Sequence, residues 1–175
     1  MQKSSKSNGI ARILVHSLNS QPMNFEKNLS LVLQSILIAK KTGCVYRPST
    51  ELEISAFGCE DHFFEKDLME NCWWCLSVIL QFNKDIDNKN MMVEVSLPIE
   101  HEGSIYNCTV IIVYDKIICI RAKESLCEEE TYNEMRYFNG TKWKTLESAL
   151  TKKTGLLDDP ASFFGKLILY LNKKI

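Results

Sequence analysis

Apolar residues along this chain recur with two different periods, and the periods predict its elements. From Phe25 to Lys41, the positions Leu29, Val32, Leu33, Ile36 and Leu37 return at spacings of three and four, which predicts an amphipathic helix capped by Asn24 and stopped at Gly43. The stretch "DLMENCWWCLSVILQF", Asp67 to Phe82, predicts a second helix, and "NKDIDNKN" after it is a polar loop. Alternating residues rich in Ile, Leu and Val mark strands at Ile10 to Leu18 and at "CVYRP", with "ELEIS" continuing extended as far as Gly58. Hairpins follow: "MMVEVSLPIE", a turn at "HEGS", "IYNCTVIIVY", a tight "DK", and "IICIRAK". After Lys123 the pattern weakens. "ESLCEEETYNEMRYF" predicts a long acidic loop with one helical turn, "KWKTLESALTKKTG" a further helix, and "FFGKLILYLNKKI" a final strand. Strand, helix, strand, helix and then hairpins describe an α/β fold in which helices cover one face of a mixed sheet.

Composition narrows the setting. A chain of 175 residues, 45% hydrophobic and 25% charged, is sized and balanced for one globular domain. A net charge of -1 supplies no field for nucleic acid or an anionic membrane, so neither is expected as a partner. No apolar run approaches the roughly 18 residues of a membrane helix. Residues 1–9, "MQKSSKSNG", read as a disordered basic tail, with the folded domain spanning 10–175. The seven cysteines are odd in number and several lie in apolar runs, which predicts reduced thiols and a cytoplasmic location.

Three groupings could carry chemistry. Cys59 and His62, followed by Cys72 and Cys75, have zinc-type spacing, but the second pair flanks Trp73 and Trp74 in a helical stretch, where thiols pack in a core. A small zinc-binding domain is therefore a distant alternative. No glycine-rich phosphate loop is present. The third grouping is Glu51 with Lys123, each placed where an apolar strand runs out; burial and a close opposite charge could tune both for acid/base work, against the plainer reading of a surface salt bridge.

The stretch "MNFEKNLSLVLQSILIAKKTGCVYRPSTELEISAFGCEDHFFEKD" resembles the opening of the glutaminase domain of eukaryotic-type glutamine-dependent NAD synthetases, within the nitrilase (carbon-nitrogen hydrolase) superfamily. "VEVSLPIEHEGSIYNCTVIIVYDKIICIRAKESLCEEETYNEMRYF" is similar to the family's later motifs, so the likeness runs over about residues 23 to 138. Thr50, Ala56, Phe57 and Ala122 depart mildly from the family pattern. The resemblance implies a nitrilase-type α-β-β-α sandwich, incomplete here, with the synthetase domain absent. It implies Glu51 as general base, Lys123 as the lysine that stabilises the oxyanion, Tyr132 as a holder of the glutamine substrate, and a structural role for Glu53.

In that family a cysteine attacks the side-chain amide of glutamine, and the ammonia released supplies NAD biosynthesis. The register of "FFGKLILYLNKKI" puts Ile175 where the cysteine belongs, with Cys127 the only alternative thiol at the rim. The expectation is a chain inactive by itself, or else a non-catalytic module pairing with a full-length relative or with its own copy. No cofactor is expected in this chain; the family uses ATP and Mg in its synthetase domain.

Overall fold

The computed structural model describes residues 11–129 and 131–140. The first helix, α1 (Phe25–Lys41), has the bounds its periodicity predicts: Asn24 Oδ1 accepts from the Lys27 N–H at 3.3 Å, and Gly43 takes φ +70 just beyond the end. The second, α2 (Lys66–Asp85), runs three residues further into "NKDIDNKN" than its sequence suggests. Four strands form one sheet in the order β1 (Tyr46–Arg47), β2 (Met92–His101), β3 (Ser104–Val113) and β4 (Lys116–Ala122). β1 pairs parallel with β2 and the rest is an antiparallel meander, so the sheet is mixed as expected.

Strand alternation sorts residues to two faces. Val93, Val95, Leu97 and Ile99 of β2 join Cys108, Val110 and Ile112 of β3 in one core with Val32 and Ile36 of α1 and Leu68, Leu76 and Ile79 of α2. The opposite face carries Glu94, Ser96, Asn107, Thr109 and Arg121, which line a common polar cavity of about 530 Å³.

Three expectations need correction. The strand expected over Ile10 to Leu18 is, among the described residues, a single parallel bridge from Ile13 to Tyr46. A kinked 3-10 stretch, Phe57–Phe64, broken at Gly58 and at Glu60 with φ +50, follows where the sequence shows no helical period. The third concerns "ELEIS", which is not extended: residues 51–55 form a turn in which Leu52 has φ +50, followed by Ala56 at φ +66. Arg47 supplies the reason. Its guanidinium is fully buried and must find a carboxylate, and an extended chain would carry Glu53 about 20 Å away. The turn brings Glu53 back so that Arg47 Nη1 and Nη2 donate to its two oxygens at 2.7 and 3.0 Å. The helix expected at "KWKTLESALTKKTG", the strand at "FFGKLILYLNKKI", position 175 and the 1–9 tail lie outside the described residues.

Candidate active site

Glu51 opens the turn that follows β1, and Lys123 stands one residue beyond β4. The Lys123 N–H donates to the Asn107 carbonyl at 2.8 Å, extending the sheet ladder by one step and fixing where the lysine leaves it. Its Nζ then donates to Glu51 Oε1 and to Glu134 Oε2, at 2.7 Å each. Asn107 Nδ2 donates to Glu51 Oε1 at 2.6 Å and to Glu134 Oε1 at 3.1 Å, so one amide and one ammonium tie the two carboxylates together. Glu134 lies in the short 3-10 helix Glu134–Arg136 and its side chain is fully buried, whereas the Glu51 and Lys123 side chains are about one-third exposed, at 37% and 32%. The Cys127 N–H closes the ring by donating to Glu134 Oε2 at 2.6 Å.

Electrostatics follow from this packing. Burial acts to raise the Glu134 pKa, but the Cys127 N–H, the Lys123 ammonium and the Asn107 amide outweigh it and leave the carboxyl below its usual value. For Lys123, burial pulls the other way from its two carboxylate partners, Glu134 and Glu51, and the partners win, so the ammonium sits above its ordinary value. Lys123 is thus held charged between two carboxylates, one at the solvent rim and one inside.

Glu53 points away from this cluster into the pocket of Arg47, which also donates to the Glu94 carbonyl at 2.6 Å and to Ser35 Oγ at 2.9 Å. The turn is pinned further by the Leu52 N–H donating to Ser96 Oγ at 3.1 Å and by Asn28 Nδ2 donating to the Ile54 carbonyl at 2.9 Å. Glu51 is therefore presented by a turn whose neighbouring residues are all anchored.

Tyr132 packs edge-on against Phe57, with ring centroids 5.6 Å apart. Its buried hydroxyl has no hydrogen-bond partner among the described residues. Burial, then the Glu134 and Glu51 charges, push its pKa well above the ordinary phenol value. Phe57 and Glu51 line a second cavity, of about 400 Å³, with Ser17, Leu18, Thr50 and Leu52.

The possible zinc ligands are not brought together. Cys59, Cys72 and Cys75 are buried in the core, while the His62 side chain is exposed and its Nδ1 lies 2.9 Å from Glu65 Oε1. Among the described residues, no three His, Cys, Asp or Glu side chains are grouped to hold a metal. Burial pushes the Cys75 thiol up to about 12, and raises Cys72 and Cys108 as well, which keeps these sulfurs protonated and unreactive.

Residues 14–166 match the family described as carbon-nitrogen hydrolase. The chain belongs to that family. It is 43% identical over 128 residues to the glutamine-dependent NAD(+) synthetase of Dictyostelium discoideum, covering 73% of this chain and 17% of that protein. It is 38% identical over 131 residues to the Drosophila melanogaster protein of the same name, covering 75% of this chain and 16% of that one. The chain thus spans about a sixth of the length of these relatives. Among solved structures, a glutamine-dependent NAD(+) synthetase from Cytophaga hutchinsonii superposes with a TM-score of 0.65 at 24% identity, over 73% of this chain and 21% of that one. An amidase from Nesterenkonia sp. superposes with a TM-score of 0.61 at 16% identity, over 74% of this chain and 47% of that one. At these identities the superpositions speak for the fold, and they agree with a partial nitrilase-type domain.

The arrangement sets a part-exposed carboxylate that can exchange a proton beside an ammonium that a buried second acid keeps charged. Sequence reasoning paired Glu51 with Lys123 and passed over Glu134 and Asn107. Both lie in quoted motifs, "YNEMRYF" and "IYNCTV", but nothing in a loop without periodicity says which of its acids turns inward.

Proposed function

We propose that this chain carries the base and oxyanion-stabilising part of a glutamine amide hydrolase site, with Glu51 as the proton acceptor, Lys123 as the cation facing the tetrahedral intermediate and Tyr132 as a substrate contact. The observation that carries the reading is Lys123 Nζ held 2.7 Å from both Glu51 Oε1 and Glu134 Oε2. In the reaction a thiol would attack the amide carbon of glutamine while its proton passes to Glu51. Glu51 would then protonate the departing ammonia, and water would hydrolyse the thioester. The high thiol pKa values of Cys72, Cys75 and Cys108 make them poor candidates for that thiol. The sequence has isoleucine at the position, 175, that the family's motif gives to it.

The purified chain is therefore expected to bind glutamine and to release no ammonia above background. Binding should weaken in Lys123→Met and in Tyr132→Phe, read by ligand-observed NMR. Ile175→Cys should gain labelling by a glutamine-shaped electrophile, and the gain should vanish when Glu51→Gln is added. Steady turnover by the unmodified chain, or absence of glutamine binding, would overturn the reading. A second reading, pairing with a longer relative, is favoured by the half-buried Met92, Ile111 and Val113 on the sheet face opposite the helices. Light scattering of the two proteins mixed tests it.

A further inference from the structure

Two of the groups gathered around Glu51 and Lys123, namely Tyr132 and Glu134, ride on a segment with little regular structure among its described residues. Among the described residues between Glu124 and Gly140 it forms one isolated bridge, Glu128 with Asn133, and the three-residue 3-10 helix Glu134–Arg136. On its inner side the segment is anchored by the bonds of Glu134, by the buried ring of Phe138, and by the Asn139 N–H donating to the Ile105 carbonyl at 2.8 Å. Its outer side faces the Phe57–Phe64 stretch, where Phe63 packs against Phe138 with ring centroids 4.8 Å apart and, nearer the surface, two further contacts fall in register. Phe57 meets Tyr132, and four residues further along each partner, Asp61 meets Arg136. Arg136 Nη2 donates to Asp61 Oδ1 at 2.6 Å and to Oδ2 at 2.9 Å.

We propose that Asp61 and Arg136 are a positioning pair that clasps the Tyr132–Glu134 segment onto the Phe57–Phe64 stretch and so fixes where Tyr132 and Glu134 sit beside Glu51 and Lys123. An aromatic edge contact such as Phe57 with Tyr132 resists separation but leaves the rings free to slide. The ion pair adds a directional contact at the exposed edge of this aromatic packing. Arg136 is itself steadied by lying over the Tyr137 ring, 5.5 Å from its centroid, and Tyr137 packs against Phe63 at 5.5 Å and Phe64 at 6.1 Å, so one patch gathers both anchors. Both charged side chains are well exposed, at 66% for Asp61 and 61% for Arg136, which places the effect on a local opening equilibrium and not on global stability. The bearing of this pair on a glutamine site rests on the preceding reading; the clasp itself does not.

The test uses the full chain. In Asp61→Asn and in Arg136→Gln, the Tyr137 and Phe138 amides, which donate to the Glu134 carbonyl, are expected to exchange hydrogen about three- to fivefold faster, while the β2–β3 ladder is unchanged. The Tyr132 ring resonances should shift as Phe57 moves off its edge. The charge-swapped double variant, Asp61→Arg with Arg136→Asp, should restore both readouts, and added salt should speed exchange in the unmodified chain but not in Asp61→Asn. Unchanged exchange and unchanged Tyr132 resonances in the single variants would overturn the proposal, as would a double variant no better than the singles. None of these readouts involves glutamine. A chain that failed to bind glutamine would count against the preceding reading and leave this result standing.

Discussion

Glu134 shows how much one buried acid can organise. Three donors converge on its carboxylate, so Glu134→Leu would strand the Cys127 N–H and leave both the Asn107 amide and Lys123 with Glu51 as their remaining carboxylate partner. Because Lys123 keeps Glu51 and some solvent, the expected loss is about 2–3 kcal/mol, at the low end for breaking a buried pair, and urea unfolding measures it. Its pH dependence has a definite sign. The folded pKa of Glu134 lies below its ordinary value of 4.5, so its contribution is present above that pH and is lost as pH falls through the depressed folded value. Glu134→Gln should accordingly flatten the acid limb of the stability profile below about pH 4.5. Lys123 behaves in the opposite sense: its raised pKa gives a contribution present below 10.5 and lost as pH climbs beyond it. Lys123→Met should therefore flatten the alkaline limb, seen by the same unfolding series.

Elements whose cause is local were legible in the sequence, and those whose cause is tertiary were not. The first helix was read with its cap because the spacing of Leu29, Val32, Leu33 and Ile36 is itself the helix. The meander was read because "HEGS" and "DK" announce their turns, and the first of these gives a direct prediction. Gly103 sits at φ +75 in the β2–β3 turn with open space where a side chain would go, so Gly103→Ala should cost about 1 kcal/mol through backbone strain alone, measured as a shift in the urea midpoint. "ELEIS" was misread because its alternation imitates a strand, while the force that bends it comes from Arg47, already buried and waiting for Glu53. Arg47→Met should cost about 3–5 kcal/mol by leaving that carboxylate buried with the His16 ring, 3.6 Å away, as its nearest remaining ionisable group. The pairing of Glu51 with Lys123 was legible because each marks the end of an apolar run; the inward turn of Glu134 was not, since loops carry no period to read.

At the scale of the molecule, the helices and the sheet divide the seven thiols into two populations. Cys44, Cys59, Cys72, Cys75 and Cys108 are buried, whereas Cys119 and Cys127 are partly open. A thiol-specific chromogenic reagent at neutral pH should thus consume two equivalents quickly in the native chain and all seven in urea. A faster reaction of the buried five would mean that the described core opens readily.

The sheet's connectivity also orders its assembly. Strands β2 to β4 are joined by tight turns and need only neighbouring chain to zip together, whereas β1 must find β2 in parallel register across the whole of α2 and the turns around it. Loop-closure entropy puts that union late in the folding sequence. The ammonium is thus carried by the early nucleus and the carboxylate that meets it by the latecomer, so the two charges are joined only after a parallel pairing across a long loop has closed.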